Sequence, residues 1–294
     1  MSDAAPAKAP LGLARAADLH CVVYHVLTVA CYAVAFWLWL HPETSGLDTW
    51  HEQLVFVGAA APLLGWISGV DLGVNYHNHT HRPLWKNRFV SRWFARFWTP
   101  VAGWPPLWWA YLHVDVHHQH LLQERDWTLP LRRADGSHEP SLRYQFGQWP
   151  WRTAKHFWRD LRDRRFDRWR AGKDLLWFLA IYSIPFWIDP WMAVVLWMVP
   201  HAFANIMTLN RGMYVQHAGC VVSKDRRFHS NNFLSPYFNR TMFHIGYHGE
   251  HHDFPGAHWA DLPAIHARAA QKVNAQAPAE APAAPAAERP SAAS

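Results

Sequence analysis

The sequence predicts an all-α integral membrane protein with four transmembrane helices and a cytosolic helical cap. Three observations carry that prediction. Half of the 294 residues are hydrophobic, yet the mean hydropathy is only −0.21, so apolar runs must alternate with strongly polar stretches. Several runs without Lys or Arg approach or reach the length that crosses a bilayer. All 28 Lys and Arg avoid those runs: two lie before residue 19, eighteen in 76–173 and eight after residue 210. That is the pattern of positive charge retained on the cytoplasmic side.

The elements follow in chain order. Residues 1–18, Ala/Pro-rich and without an apolar core of the secretory kind, form an N-terminal cytosolic segment rather than a signal peptide. The membrane domain is expected over 19–270, with spans at about 19–40, 54–75, 170–188 and 190–210. The connection at 41–52 holds only acids, which places it opposite the cytoplasm. Both termini and the large middle segment then face the cytoplasm (of the inner membrane, in a bacterium). Residues 84–112 interleave Trp and Phe with Arg, as an amphipathic segment in the headgroup layer does. Six Arg against three Asp in 159–170 suit either a dock for anionic lipid or an acidic carrier, or a solvated face. Residues 271–294 form an Ala/Pro-rich tail expected to be disordered. Three Cys exclude a disulfide scaffold, and neither G-x-G-x-x-G nor a Walker loop is present. No nucleic-acid partner is expected.

The 22 His are concentrated at the predicted cytoplasmic interface. His77, His79 and His81 follow the second span in "NYHNHTHRP". His113, His117, His118 and His120 lie in "YLHVDVHHQHLL". His244, His248, His251 and His252 lie in "FHIGYHGEHHDFP", and His217 ends the fourth span. On α-helices, His77 and His81 share a face, as do His113 and His117, and His248, His251 and His252 point one way. His118 stands about 100° from His117, which suits a second metal or a helix that ends there. Eight or nine imidazoles exceed the four of one tetrahedral zinc and suit two octahedral metals. Imidazole alone does not choose among iron, zinc, copper and nickel. His79, His120 and His244 are without an assigned role. The isolated histidines, among them His25, His229, His258 and His266, are expected to be surface or hydrogen-bonded residues.

The H-x-x-x-H, H-x-x-x-H-H and H-x-x-H-H boxes, with spans between and around them, resemble those of the membrane fatty acid desaturases. The segment "GYHGEHHDFPGAHWADLP" is similar to that family's third box, and the resemblance covers about residues 20–270. Carried over by position, it implies metal ligands at His77 and His81, at His113, His117 and His118, and at His248, His251 and His252. His217 resembles the additional ligand that the family draws from the region after the fourth span. Asn205 and Asn210 are candidates for holding a metal-bound water. The first box departs from the family's common His-Glu or His-Asp opening, and the second has three intervening residues rather than two.

The resemblance implies a non-haem di-iron centre, dioxygen as oxidant and a fatty acyl lipid as substrate, desaturated in its alkyl chain. It also implies an external electron donor, ferredoxin-like or similar, which a basic cytoplasmic face would receive if acidic. The acyl chain is expected to enter from the membrane lipid into a tunnel lined partly by the aromatic residues of 84–112. Lipid hydroxylation and 1-alkene-forming decarboxylation use the same kind of cage and remain alternatives. A histidine-rich metal transporter fits less well, because its ionisable residues would line a path near the bilayer midplane.

Overall fold

The structure, a computed structural model, describes residues 9–133 and 135–276. It is all-helical among them; two isolated bridges are the only β pairing. Helix α1, Asp18–Leu40, occupies the first apolar run and ends where Pro42 begins a new turn. Helix α2 runs from Trp50 to His81. The sequence starts it with a Thr-x-x-Glu capping box: the Glu52 N–H donates to Thr49 Oγ1 at 3.4 Å and the Thr49 N–H to Glu52 Oε2 at 2.8 Å. Its 32 residues span about 48 Å at 1.5 Å per residue, whereas the hydrocarbon core is about 30 Å thick. A single crossing therefore needs only part of the length of α2.

Helix α3, Arg88–Ala102, starts on Asn87, whose side chain accepts from the Phe89 and Val90 N–H groups, and ends at Gly103 with positive φ. Helix α4 follows over 106–118, its second half, Tyr111–His118, wound as a π-helix. Helix α5, Arg168–Tyr182, and the short α6, Ile184–Ile188, occupy the apolar segment expected at 170–188. That segment is broken at Ser183, because Pro185 has no N–H to continue the ladder. Helix α7 is continuous over Pro190–His217, started by Pro190 and the Asp189 side chain. Among the described residues three helices, α1, α2 and α7, are thus long and apolar enough to cross a membrane, where four spans were expected; the divided α5–α6 segment is the difference. Helix α8, His248–Asp253, carries the third histidine box, and α9, Leu262–Gln276, closes the described chain. The expected tail begins inside α9, and the rest of it, 277–294, lies outside the described residues, as do residues 1–8.

Close packing of α2 on α7 sets the frame for the site. A Cβ at Gly65 would lie 2.7 Å from the Pro200 carbonyl oxygen, and one at Gly69 would lie 2.5 Å from Thr208 Cβ. Glycine is required at both positions for the backbones to come this near. Several polar groups inside this frame are paired. Asp71, fully buried, accepts from His25 Nδ1 and from Trp98 Nε1, both at 2.7 Å, and Tyr32 bonds Ser68 at 2.7 Å. These bonds tie α1 and α3 to α2 just before the first histidine box. Outward, Leu54, Val55 and Leu63 on α2 are more than half exposed, as a lipid-facing surface would be.

Candidate metal centre

Nine imidazoles converge from four elements, and they are the nine singled out by spacing and by resemblance. They form two adjoining groups. His77, His81, His113, His118 and His251 make one; His117, His217, His248 and His252 make the other. Within each group the nearest ligand atoms all lie within 4.8 Å of one another. The groups abut, with the His118 and His252 rings 4.4 Å apart between centroids.

The partition follows from helix winding. On an α-helix His113 would share a face with His117, as expected from sequence. The π-winding of 111–118 bonds i to i+5 and turns His118 towards His113 instead, with their Nε2 atoms 3.2 Å apart. His117 is thereby released to the second group. On α8 the i, i+4 pair His248 and His252 meets at 3.1 Å, while His251 faces the first group. The expectation that all three point one way is corrected: neighbours 251 and 252 diverge by about 100° and serve different groups. His77 and His81 share a group as expected.

The donor chemistry fits metal ions. His251 Nε2 lies 2.9 Å from His77 Nε2 and 3.0 Å from His118 Nε2, and His113 Nε2 lies 2.8 Å from His81 Nε2. In the second group His248 Nε2 lies 3.0 Å from His217 Nε2. Imidazole nitrogens about 2.1 Å from a first-row metal stand about 3.0 Å apart on adjacent octahedral positions. The observed edges have that length. Protons cannot satisfy this convergence, because a neutral imidazole has one N–H and several of these are committed elsewhere. His77 Nδ1–H donates to the Gly73 carbonyl at 3.0 Å, and His217 Nδ1–H to the His229 carbonyl at 3.3 Å. Each leaves an Nε2 lone pair facing the group. Burial, and then the neighbouring imidazoles, hold His113, His118, His248, His251 and His252 well below the ordinary imidazole range. They are neutral donors at physiological pH, the form that binds metal.

A surrounding shell, not found from sequence, orients the rings. Asp126 accepts from His117 Nδ1 at 3.1 Å, and also from the Leu122 and Thr128 N–H groups at 3.0 and 2.9 Å. Burial alone would raise its carboxyl, but His117 and these donors hold it below the usual carboxylate range. His229, whose carbonyl receives His217, is itself bonded to Asp253 at 3.1 Å. Glu250, buried between two box-three histidines, accepts from Asn232 and His266 at 2.7 and 2.8 Å. The D-W-T stretch at 126–128 was the available signal, since a carboxylate and a hydroxyl shortly after a histidine box can reach back to it. Asn205 and Asn210 have other partners: Asn205 accepts from Trp104 Nε1 at 2.6 Å, and Asn210 donates to the Gln145 carbonyl at 3.0 Å. His79, His120 and His244 lie outside both groups. His25, His229, His258 and His266 are hydrogen-bonded.

A cavity of about 240 Å³ leads to the histidines. His77, His113, His117 and His248 line its inner end, and Val70, Val74, Met213 and Ile245 line its walls. Trp66, about half exposed on the outer face of α2, stands at the other end. Among the described residues Arg211 is the only charged side chain on it. From the aromatic residues of 84–112, expected to form part of the lining, only Trp109 takes part; α2, α7 and the 233–245 segment supply most of the rest.

A family model described as fatty acid desaturase matches residues 52–282, which is more than half of the chain. No curated protein and no solved structure matches the chain.

Proposed function

The chain belongs to the fatty acid desaturase family, and from that premise we propose that it is an oxygen-dependent di-iron lipid desaturase of the membrane. One observation carries the proposal above the others: two adjoining histidine groups end an apolar cavity that opens beside the membrane-spanning helices α2 and α7. The first group would hold one iron through His77, His81, His113, His118 and His251. The second would hold the other through His117, His217, His248 and His252. The bound pair supplies the strong oxidant, drawn from dioxygen, that breaking an unactivated C–H bond requires.

The residues of the chain do the rest. Val70, Val74, Met213 and Ile245 hold the alkyl chain and keep water from it. Arg211 reaches the anionic head of the acyl lipid. Asp126 and the Gly73 and His229 carbonyls fix which nitrogen of each ring faces the metals. Overall, one dioxygen, two electrons and two protons convert a methylene pair to an alkene and two waters. The electrons come from an external donor of the ferredoxin type, received on the basic cytoplasmic face. In this reading α5 and α6 together make a fourth, broken crossing, and both termini and the centre are cytoplasmic.

The test is expression in a host of known lipid composition, followed by mass spectrometry that localises double bonds. New unsaturated acyl chains, absent with His251→Ala, support the assignment. New hydroxylated chains or 1-alkenes would move it to hydroxylation or decarboxylation, and an unchanged product with His251→Ala would refute the di-iron reading.

A further inference from the structure

A second, larger cavity of about 590 Å³ lies on the far side of the first histidine box. Tyr76, His79 and Thr80 form its back, on the face of α2 turned away from His77 and His81. Pro83, Ala95, Pro106, Leu107 and Ala110 give it an apolar floor, and Arg88, Arg92, Arg96 and Arg170 rim it. Its single acid, Asp174, is bound by Arg96 at 2.9 Å. Arg88, Arg92 and Arg170 make no ion pair among the described residues and are exposed. A smaller cavity beside it, about 260 Å³, shares Arg92, Arg96 and Arg170 and adds Lys173. Cationic side chains gathered round a pocket with one neutralised acid repel each other unless an anion joins them.

Position identifies the source of that anion. Arg170 and Lys173 stand in the first turns of α5, immediately before its apolar stretch, and the other arginines lie on α3. Phe89 lines the smaller cavity and is 61 % exposed, and on the same two helices Phe97 and Trp169 are 52 and 78 % exposed. Lys173 lies over the Trp169 ring at 5.4 Å and Arg96 over Trp93 at 4.9 Å. Exposed aromatics interleaved with long cations mark the headgroup layer of a membrane. A soluble anion would need the arginines but not the apolar floor or the aromatic rim.

We propose that this cavity is a binding site for an anionic phospholipid, its phosphodiester held by Arg88, Arg92 and Arg170 and its glycerol end on the apolar floor. The site is separate from the histidine cavity and stands whether or not the desaturase assignment does. Each basic residue at an anionic surface contributes about fivefold to binding. Replacing all three arginines with Gln should therefore weaken retention of the lipid about 150-fold.

The experiment uses the full chain, purified and reconstituted in phosphatidylcholine with or without phosphatidylglycerol, with retained lipid counted by native mass spectrometry. Wild type should keep phosphatidylglycerol, the Arg88→Gln/Arg92→Gln/Arg170→Gln variant should lose it, and the corresponding Lys variant should keep it. A control, Arg162→Gln/Arg164→Gln, should behave as wild type. Equal retention by the triple Gln variant, or equal loss by the control, would overturn the site. Displacement of the lipid by inorganic phosphate would instead assign the arginines to a free anion and overturn the lipid. Unchanged thermal unfolding of the triple variant separates loss of the site from loss of the fold.

Discussion

Substituting Asp126 by Asn tests the link between the orienting shell and the metal centre. Asp126 is fully buried and, as a carboxylate, accepts from His117 Nδ1, the Leu122 and Thr128 N–H groups and the Thr128 hydroxyl. Asparagine has nearly the same shape but offers one acceptor oxygen and two N–H donors. Either Leu122 or Thr128 then faces a donor, leaving a buried N–H unpaired, which costs about 1–3 kcal/mol. His117 loses its anionic partner, and loss of such a partner typically lowers metal affinity or activity by about 10- to 100-fold. Because His117 belongs to the second group, the loss should be selective. Iron content should fall from two per chain towards one, with desaturation reduced at least tenfold and the protein still folded. Metal analysis by inductively coupled plasma mass spectrometry, product quantification and thermal unfolding read the three effects. A folded Asp126→Asn protein with two irons and wild-type turnover would refute the reasoning.

Other outcomes follow from the same geometry. His113→Ala should abolish product, whereas His120→Ala, outside both groups, should retain metal and product; equal loss in both would show that the grouping has no consequence. Val74→Trp places a large ring in the 240 Å³ cavity and should block turnover while iron content stays at two, so a normally active variant would redirect the substrate elsewhere. Arg152 holds Glu139 through both oxygens, at 2.5 and 2.7 Å, and the pair is largely buried. Arg152→Gln should destabilise the fold by about 3 kcal/mol. Burial alone would raise the Glu139 carboxyl, but the Arg152 bonds outweigh it and hold it below the usual range. Its stabilising contribution is therefore full above the unfolded carboxylate pKa and is lost as pH falls through the lower folded value. Thermal unfolding against pH should show an acid-side slope that is reduced in Arg152→Gln, and an identical slope in both proteins would contradict the role of the pair.

Eight of the nine histidines were legible as three boxes, where spacing brings His77 near His81 and His248 near His252, and His217 was legible from its place after the fourth span and by resemblance. Their division into groups was less legible, because it depends on winding. The i, i+4 rule pairs His113 with His117, and only the π-helix over 111–118 replaces that pair with His113 and His118. The separation of about 100° between His117 and His118 suited either a second metal or a helix that ends there. Asp126 offered only the signal of its closeness to the second box, and His229 offered none, since it acts through the packing of its segment against the end of α7. The apolar runs located α1, α2 and α7, the last from a run that looked short by itself. The third apolar segment was harder, because Pro185 divides it without changing its composition. The cavity lining depended on Gly65 and Gly69 bringing α7 against α2, a contact that composition does not encode.

The central claim is that the two histidine groups hold two irons as one centre. Mössbauer spectroscopy of the purified chain, grown on isotopically enriched iron, tests it directly. The account predicts two high-spin irons per chain in two slightly different nitrogen-rich environments, with one lost in His217→Ala. A single iron site, or a chain saturated with tightly held zinc and no iron, would contradict it.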